Sequence, residues 1–297
     1  MNNTLRMGMA VFFGLLSCAV IAQFRIPVAF AAESEPPDML GSSTTLTGLS
    51  GLLITESPHT LEPMKIAVSL TGMIMHTSDP TSFYEGAGEV AIGLPARIEL
   101  AAMVPGIHYA ANGTISGLGD MQLSAKWRVL DQKETQWPAV AVGVTGTLPT
   151  GKEGSPTLTY GQPGDGLRTV QDYGIAFKLM SSTEIDFSPD LYAIGLYVEG
   201  SYTFQDLNKN TQDKYGTYAV GAALPLLVNP DNPLASPLQF LMEIDGTYQR
   251  GSDQDYVGIT PSIRYVGRVT ADVAFRFQAT HDLPNEIGGI AQVGLTF

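Results

Sequence analysis

From Asp120 to Leu130 the chain alternates without a break. Met121, Leu123, Ala125, Trp127 and Val129 fall on one face, and Asp120, Gln122, Ser124, Lys126 and Arg128 on the other. A period of two marks a β-strand, because successive side chains point to opposite sides of the pleat. The polar face carries charge rather than only the Thr and Ser of a solvated sheet. The alternation runs for about ten residues, the length a tilted strand needs to cross a bilayer. Such a strand has two homes, the edge of a soluble sandwich or the wall of a membrane barrel.

The start of the chain bears on that choice. Arg6 precedes an apolar run from Met9 to Ala22, too short to span as a helix, and Ala29-Phe30-Ala31 has the small-x-small form of a signal-peptide cleavage site. We therefore expect residues 1–31 to be an export signal. Leu15-Leu16-Ser17-Cys18 imitates a lipoprotein box, but the apolar run continues past Cys18. Removing residues 1–31 deletes Arg6, Arg25 and Cys18 and no acid, leaving 14 basic residues against 29 acidic and no cysteine. Disulfides are then excluded from the exported chain. The acidic balance argues against a nucleic-acid partner. No later apolar run is long enough for a membrane helix. In hydrocarbon every backbone polar group must be paired, so the spanning architecture left is a closed antiparallel β-barrel.

The rest of the chain repeats the alternation between turn signals. The pattern predicts an all-β protein, a transmembrane barrel of about twelve strands. They are expected at Met64–His76, Ala87–Leu94, Arg97–Ile107, Ser116–Leu130, Pro138–Leu148, Asp172–Ser181, Leu191–Phe204, Tyr215–Leu224, Leu238–Arg250, Tyr256–Tyr265, Arg268–Ala279 and Gly289–Phe297. With both ends of the barrel domain, residues 64–297, at the periplasmic side, the tight Pro95-Ala96 and Val266-Gly267 turns fall there and most long connections fall outside. The Pro-rich connection between Pro225 and Pro237 is the exception and has no explanation from the pattern. Phe297, Leu295 and Val293 close the last strand with the alternating, aromatic-ended form of an outer-membrane assembly signal. The expected partners are outer-membrane lipids and barrel-assembly machinery, the expected location the bacterial outer membrane, and the expected state a monomer.

A charge on the lipid face costs about 2–4 kcal/mol near the midplane, so charged faces must turn inward. The expected lumen lining is Glu99, Asp120, Lys126, Arg128, Lys178, Glu199, Glu243, Asp245, Arg264, Asp272 and Arg276. It is either a mesh of ion pairs that fills the barrel or the wall of a passage. Residues 32–63 are not strand-like. Leu49, Leu52, Leu53 and Ile54 form an apolar patch in a polar leader, which is either disordered or tucked into the lumen, the nearest place to bury it.

Neither a Gly-x-Ser-x-Gly elbow nor a His-Glu-x-x-His zinc pair is present. His108 and His281 fall at expected outer strand ends, but no nucleophile, base and orienter assemble around them. No catalytic residue, metal ligand or cofactor is expected. Gly117-Leu118-Gly119-Asp120 precedes a strand rather than a helix, so it reads as a turn and not a phosphate loop.

That Gly117–Asp120 turn, with Leu123, Lys126, Arg128 and Leu130, then Pro138-Ala139-Val140 and Leu148-Pro149-Thr150-Gly151, resembles the outer-membrane family labelled "putative MetA-pathway of phenol degradation". Arg97-Ile98-Glu99-Leu100 and Val104-Pro105 resemble its upstream strand. The resemblance runs from about Gly48 to Phe297. It implies a barrel channel or transporter for small organic molecules, some of them apolar or aromatic, with an N-terminal plug at Thr47–Glu62. The polar loop Gly151–Gln171, poor in aromatics, departs from an aromatic-ligand site. Three functions remain open: a passive channel, a structural or assembly barrel with a closed lumen, and, least favoured, a lipid-modifying barrel enzyme.

Overall fold

The computed structural model describes residues 44–45, 49–77, 82–110, 114–135, 137–151, 173–188, 192–204, 214–226, 237–249, 256–267, 269–280 and 286–297. The expected signal peptide, most of the Gly151–Gln171 loop, the middle of the Pro-rich connection and His281 lie outside them.

Twelve antiparallel staves close into a barrel. They are β1 (Ile66–Thr77), β2 (Ser82–Leu94), β3 (Ile98–Ala110), β4 (in two segments, Thr114–Leu118 and Met121–Leu130), β5 (Ala139–Leu148), β6 (Gly174–Ser188), β7 (Tyr192–Phe204), β8 (Lys214–Pro225), β9 (Leu238–Gln249), β10 (Tyr256–Tyr265), β11 (Val269–Thr280) and β12 (Glu286–Thr296). Each stave pairs with its neighbours in sequence, and β1 pairs with β12 from Ala67↔Thr296 to Thr77↔Glu286. No edge is left open, which is what hydrocarbon demands of a sheet.

Several staves are longer than the alternation indicated. β2 begins at Ser82 rather than Ala87, and β6 runs to Ser188 rather than Ser181. The extra residues include Gly86, and in β6 the pair Ser182-Thr183, where side chains give little contrast between faces. Backbone pairing continues there regardless. The connections β1–β2 and β6–β7 are shorter than expected for the same reason.

Two irregularities matter locally. Pro261 sits inside β10, where it has no N–H to offer; pairing with β11 lapses at Thr260 and Pro261 and resumes in the same register at Ser262↔Ala274. The turn from β2 to β3 places Ala96 and Arg97 at positive φ (both 63°), a left-handed conformation that costs L-residues about 1–2 kcal/mol each.

The expected faces are the observed ones. Phe275 (63% exposed), Val273, Phe277, Trp127, Ile263 and Leu295 point outward, while Lys126, Glu243, Arg264 and Arg276 are buried inside. An apolar exterior around a charged interior inverts a soluble protein and is the arrangement of a barrel in lipid.

Candidate functional site

The interior holds a segment of the chain's own leader. Call the end of the barrel carrying Ile66 and Phe297 the terminal end and the other the far end. Residues 49–62 rise from the terminal part of the lumen at Leu49 to about mid-height and return to it at Leu61. An antiparallel bridge Gly51↔Glu56 and the hydrogen bond from Leu52 N to Thr55 O (2.9 Å) fold them into a tight hairpin with Leu53 and Ile54 at its tip. Gly51 is required by this fold, because a Cβ there would meet Thr45 Cγ2 at 2.7 Å and Glu56 Cα at 2.8 Å.

Inward carboxylates hold the hairpin by its backbone. Glu243 accepts N–H donors from Leu53 (3.2 Å), Ile54 (2.9 Å) and Thr55 (2.6 Å). Glu199 accepts from Glu56 N (2.8 Å). Glu99 accepts from Ser50 N (2.7 Å), Ser50 Oγ (2.8 Å) and Leu61 N (2.8 Å). The cations take the carbonyls. Lys126 Nζ donates to Ser50 O (3.1 Å) and Ser57 O (2.9 Å), and Arg264 Nη1 donates to Gly51 O (2.9 Å). Lys178 pairs with the leader's Glu56. Charge-assisted bonds of this kind contribute about 1.5–3 kcal/mol each.

Apolar seats complement the polar grip. Leu52 packs with Tyr197, Ala223 and Leu241, and Leu49 with Leu61, Ala67, Ala91 and Ala101. Small alanines on the wall leave the width that the leader's leucines occupy. Burying each leucine contributes about 1.5–3 kcal/mol.

The remaining expected lining residues divide by height and partner. Arg276 grips Asp245 through two bonds (Nη1–Oδ1 2.8 Å, Nη2–Oδ2 2.7 Å) and also donates to Thr260 (3.1 Å). Arg264 Nε donates to Asp272 (2.7 Å). Arg128 reaches Asp131 (3.1 Å) at the terminal rim rather than the mid-lumen. Asp120 accepts from Gly151 N (2.7 Å) at the far end, where Thr150 Oγ1 accepts from Met121 N (2.8 Å) and Gly119 N donates to Pro105 O (2.7 Å). The Gly117–Asp120, Leu148–Gly151 and Val104-Pro105 motifs thus form one clasp between β3, β4 and β5. Val293, Leu295 and Phe297 face outward, and Phe297 exchanges backbone bonds with Ile66 (2.9 and 3.2 Å).

The alternation missed Glu89, which is inward and buried; it takes the hydroxyls of Thr71 and Thr44 (both 2.9 Å) and of Ser69, and the amide of Gln292 (3.0 Å). Its signal was present in Val90 and Ile92 flanking an inward Glu89 and Ala91. Above the hairpin tip lies a cavity of about 100 Å³. Its walls carry Gln122, Thr145, Thr147, Ser201, Thr203 and Thr217, hydroxyls and an amide that the charge pattern did not single out.

At the terminal end His59 Nε2 lies 3.4 Å from Ser182 Oγ and 3.8 Å from Glu184 Oε1. A serine-activating relay needs the acid on the other ring nitrogen. Both neighbours here meet Nε2, so the trio is arranged as an anchor for the leader. No cluster of metal-ligating side chains occurs among the described residues.

The fold is shared with solved barrels. An outer-membrane channel from Pseudomonas putida F1 superposes with a TM-score of 0.57 at 11% identity, covering 80% of this chain and 97% of that one. The β domain of the Bordetella autotransporter BrkA gives 0.50 at 9%, over 80% and 100%. The NanC porin gives 0.49 at 13%, over 77% and 98%. At such identities the likeness is one of fold: a twelve-strand outer-membrane-type barrel. No family model matches the chain. No curated protein matches it either. The phenol-degradation label therefore stands on the sequence motifs alone.

Proposed function

We propose that this chain is a bacterial outer-membrane channel for passive passage of small solutes, exported through residues 1–31 and closed in its periplasmic half by residues 32–63 as a plug. The observation that carries the reading is the manner in which the leader is held. Glu99, Glu199 and Glu243 bind backbone amides of a segment that is not part of the barrel wall. A wall made only to be solid would close with side chains of its own, as Arg276 and Asp245 do. A wall that grips a separate, covalently tethered segment can release it.

The cavity above the hairpin tip carries Gln122, Thr145, Thr147, Ser201, Thr203 and Thr217, which supports polar solutes over the apolar or aromatic ones that the family resemblance implies. The passage needs no catalytic group. The competing reading, a scaffold barrel with a permanently closed lumen, draws on the complete burial of Leu49, Leu52 and Leu53. Planar-bilayer recording separates the two. Unitary currents that grow when Glu33–Pro63 is deleted support the passage; silence before and after deletion supports the scaffold.

A further inference from the structure

We propose that the far half of the lumen is a binding site for small neutral polyhydroxyl solutes, seated on the tip of the leader hairpin; this rests on the channel reading and names its solute class. The cavity has Ile54, Lys178 and Glu199 among its lining residues, and Ile54 lies at the hairpin tip beneath it. Its volume of about 100 Å³, in a space open on one side, has room for several waters or a small polyol.

The chemistry of the wall selects the class. Thr145, Thr147, Ser201, Thr203 and Thr217 each both donate and accept, and the Gln122 amide does the same. They lie on β4, β5, β7 and β8, so hydroxyls reach the cavity from several directions. Already they pair with one another or with neighbours across strands: Ser201 with Thr217 (2.6 Å), and Thr145 with Ser124 (2.8 Å). A polyol, whose hydroxyls also both donate and accept, replaces such bonds one for one. Charged ligands are less well served. Lys178 is matched by Glu56, and Asp245 is gripped by Arg276, so the charges bordering the cavity are engaged within the protein. An apolar ligand could form no bond with these hydroxyls and would gain nothing from this part of the wall. Tyr215, also in the lining and 4% exposed, adds an aromatic body to one side.

The site lies above the hairpin, so the closed, full-length chain should bind. The experiment is saturation-transfer difference NMR on that chain in micelles of a detergent without a sugar headgroup. The probes are glycerol, ribose and glucose, with gluconate, glucosamine and benzyl alcohol as comparators. Stronger transfer to the three neutral polyols, reduced several-fold in Thr203→Val and Thr217→Val but not in Thr270→Val on the terminal half of β11, is the expected result. Heat-modifiable migration in gels confirms that each variant is folded. Equal transfer to all probes, or polyol signals unchanged in both cavity variants, overturns the assignment. Binding to a chain that passes no current even after Glu33–Pro63 is deleted would instead refute the channel reading and leave the site standing.

Discussion

Glu243 holds the leader at its hairpin tip, and replacing it should loosen the hairpin without touching the outer wall of the barrel. Its carboxylate accepts three consecutive backbone N–H groups, from Leu53, Ile54 and Thr55. In Glu243→Ala all three donors lose their acceptor at sites that are buried. Each unmet buried donor costs about 1–3 kcal/mol, and water entering the vacated space offsets part of this, so the net weakening is about 3 kcal/mol. At ~1.4 kcal/mol per power of ten, that is roughly a hundredfold fall in the equilibrium constant for hairpin docking, which sets the exchange protection of its amides. Glu243→Gln keeps the shape but offers one oxygen instead of two, so at least one donor faces an NH₂; about tenfold is expected there. Hydrogen exchange of the peptide covering residues 50–57 in the folded barrel reads the occupancy directly, and open probability in a planar bilayer reads its consequence. Protection in residues 50–57 that stays at the parent level in Glu243→Ala, in a chain whose Glu33–Pro63 deletion does conduct, would refute the idea that this carboxylate holds the plug.

Two further perturbations probe the same architecture from other directions. A Cβ at Gly221 would lie 2.6 Å from Leu52 Cδ2 and 3.3 Å from Thr55 Oγ1, so Gly221→Leu should overpack the seat by about 1–3 kcal/mol and raise open probability with no charge altered, whereas Gly72→Leu, where a Cβ meets nothing within 4 Å, should leave conductance unchanged. Phe275 faces outward at mid-strand, so Phe275→Arg should lower the unfolding free energy in lipid vesicles by about 2–4 kcal/mol, and a urea midpoint equal to that of Phe275→Tyr would show that this belt does not face hydrocarbon.

The wall was legible because its signal is local. The two-residue period of Met121–Leu130 sorts side chains by face whatever the rest of the chain does, and the same rule places Glu99, Lys178, Glu243, Asp272 and Arg276 inside. Closure of β1 on β12 was inferable by elimination, since an open edge is not tolerated in a membrane. The hairpin's anchorage was not legible. Leu53 and Glu243 are 190 positions apart, and a backbone amide leaves no trace in the residue code. Motif spacing was informative in a way its residues did not announce. Asp120 looked like a lumen charge because it continues the alternation, yet its oxygen caps Gly151 in the far-end clasp. Hydroxyls of the cavity were hidden for the opposite reason: Thr and Ser are unremarkable on any inward strand face, and only the barrel's curvature brings those of β5, β7 and β8 around one space.

How the leader is bound also fixes what its departure would leave behind. Among the described residues the barrel's buried strand charges are Glu89, Glu99, Glu199, Glu243, Asp245 and Asp272 against Lys126, Lys178, Arg264 and Arg276. The leader meets this excess of acid mainly with neutral N–H donors, and Glu56, a leader charge buried against the wall, is itself an acid paired to Lys178. Withdrawal therefore removes the donors that satisfy the carboxylates and frees Lys178 to turn to Glu199, with no cation lost. Those described strand charges leave the vacated passage with an excess of acid, and water-filled lumens of one sign concentrate the opposite ion. A chain lacking Glu33–Pro63 should then prefer cations, with a reversal potential under a potassium chloride gradient shifted toward the potassium equilibrium value. Glu243→Gln with Glu199→Gln in that background should move the potential back toward zero. An anion-selective open state would mean that the acids remain neutralised after the leader has gone, and that the carboxylates hold something other than its backbone.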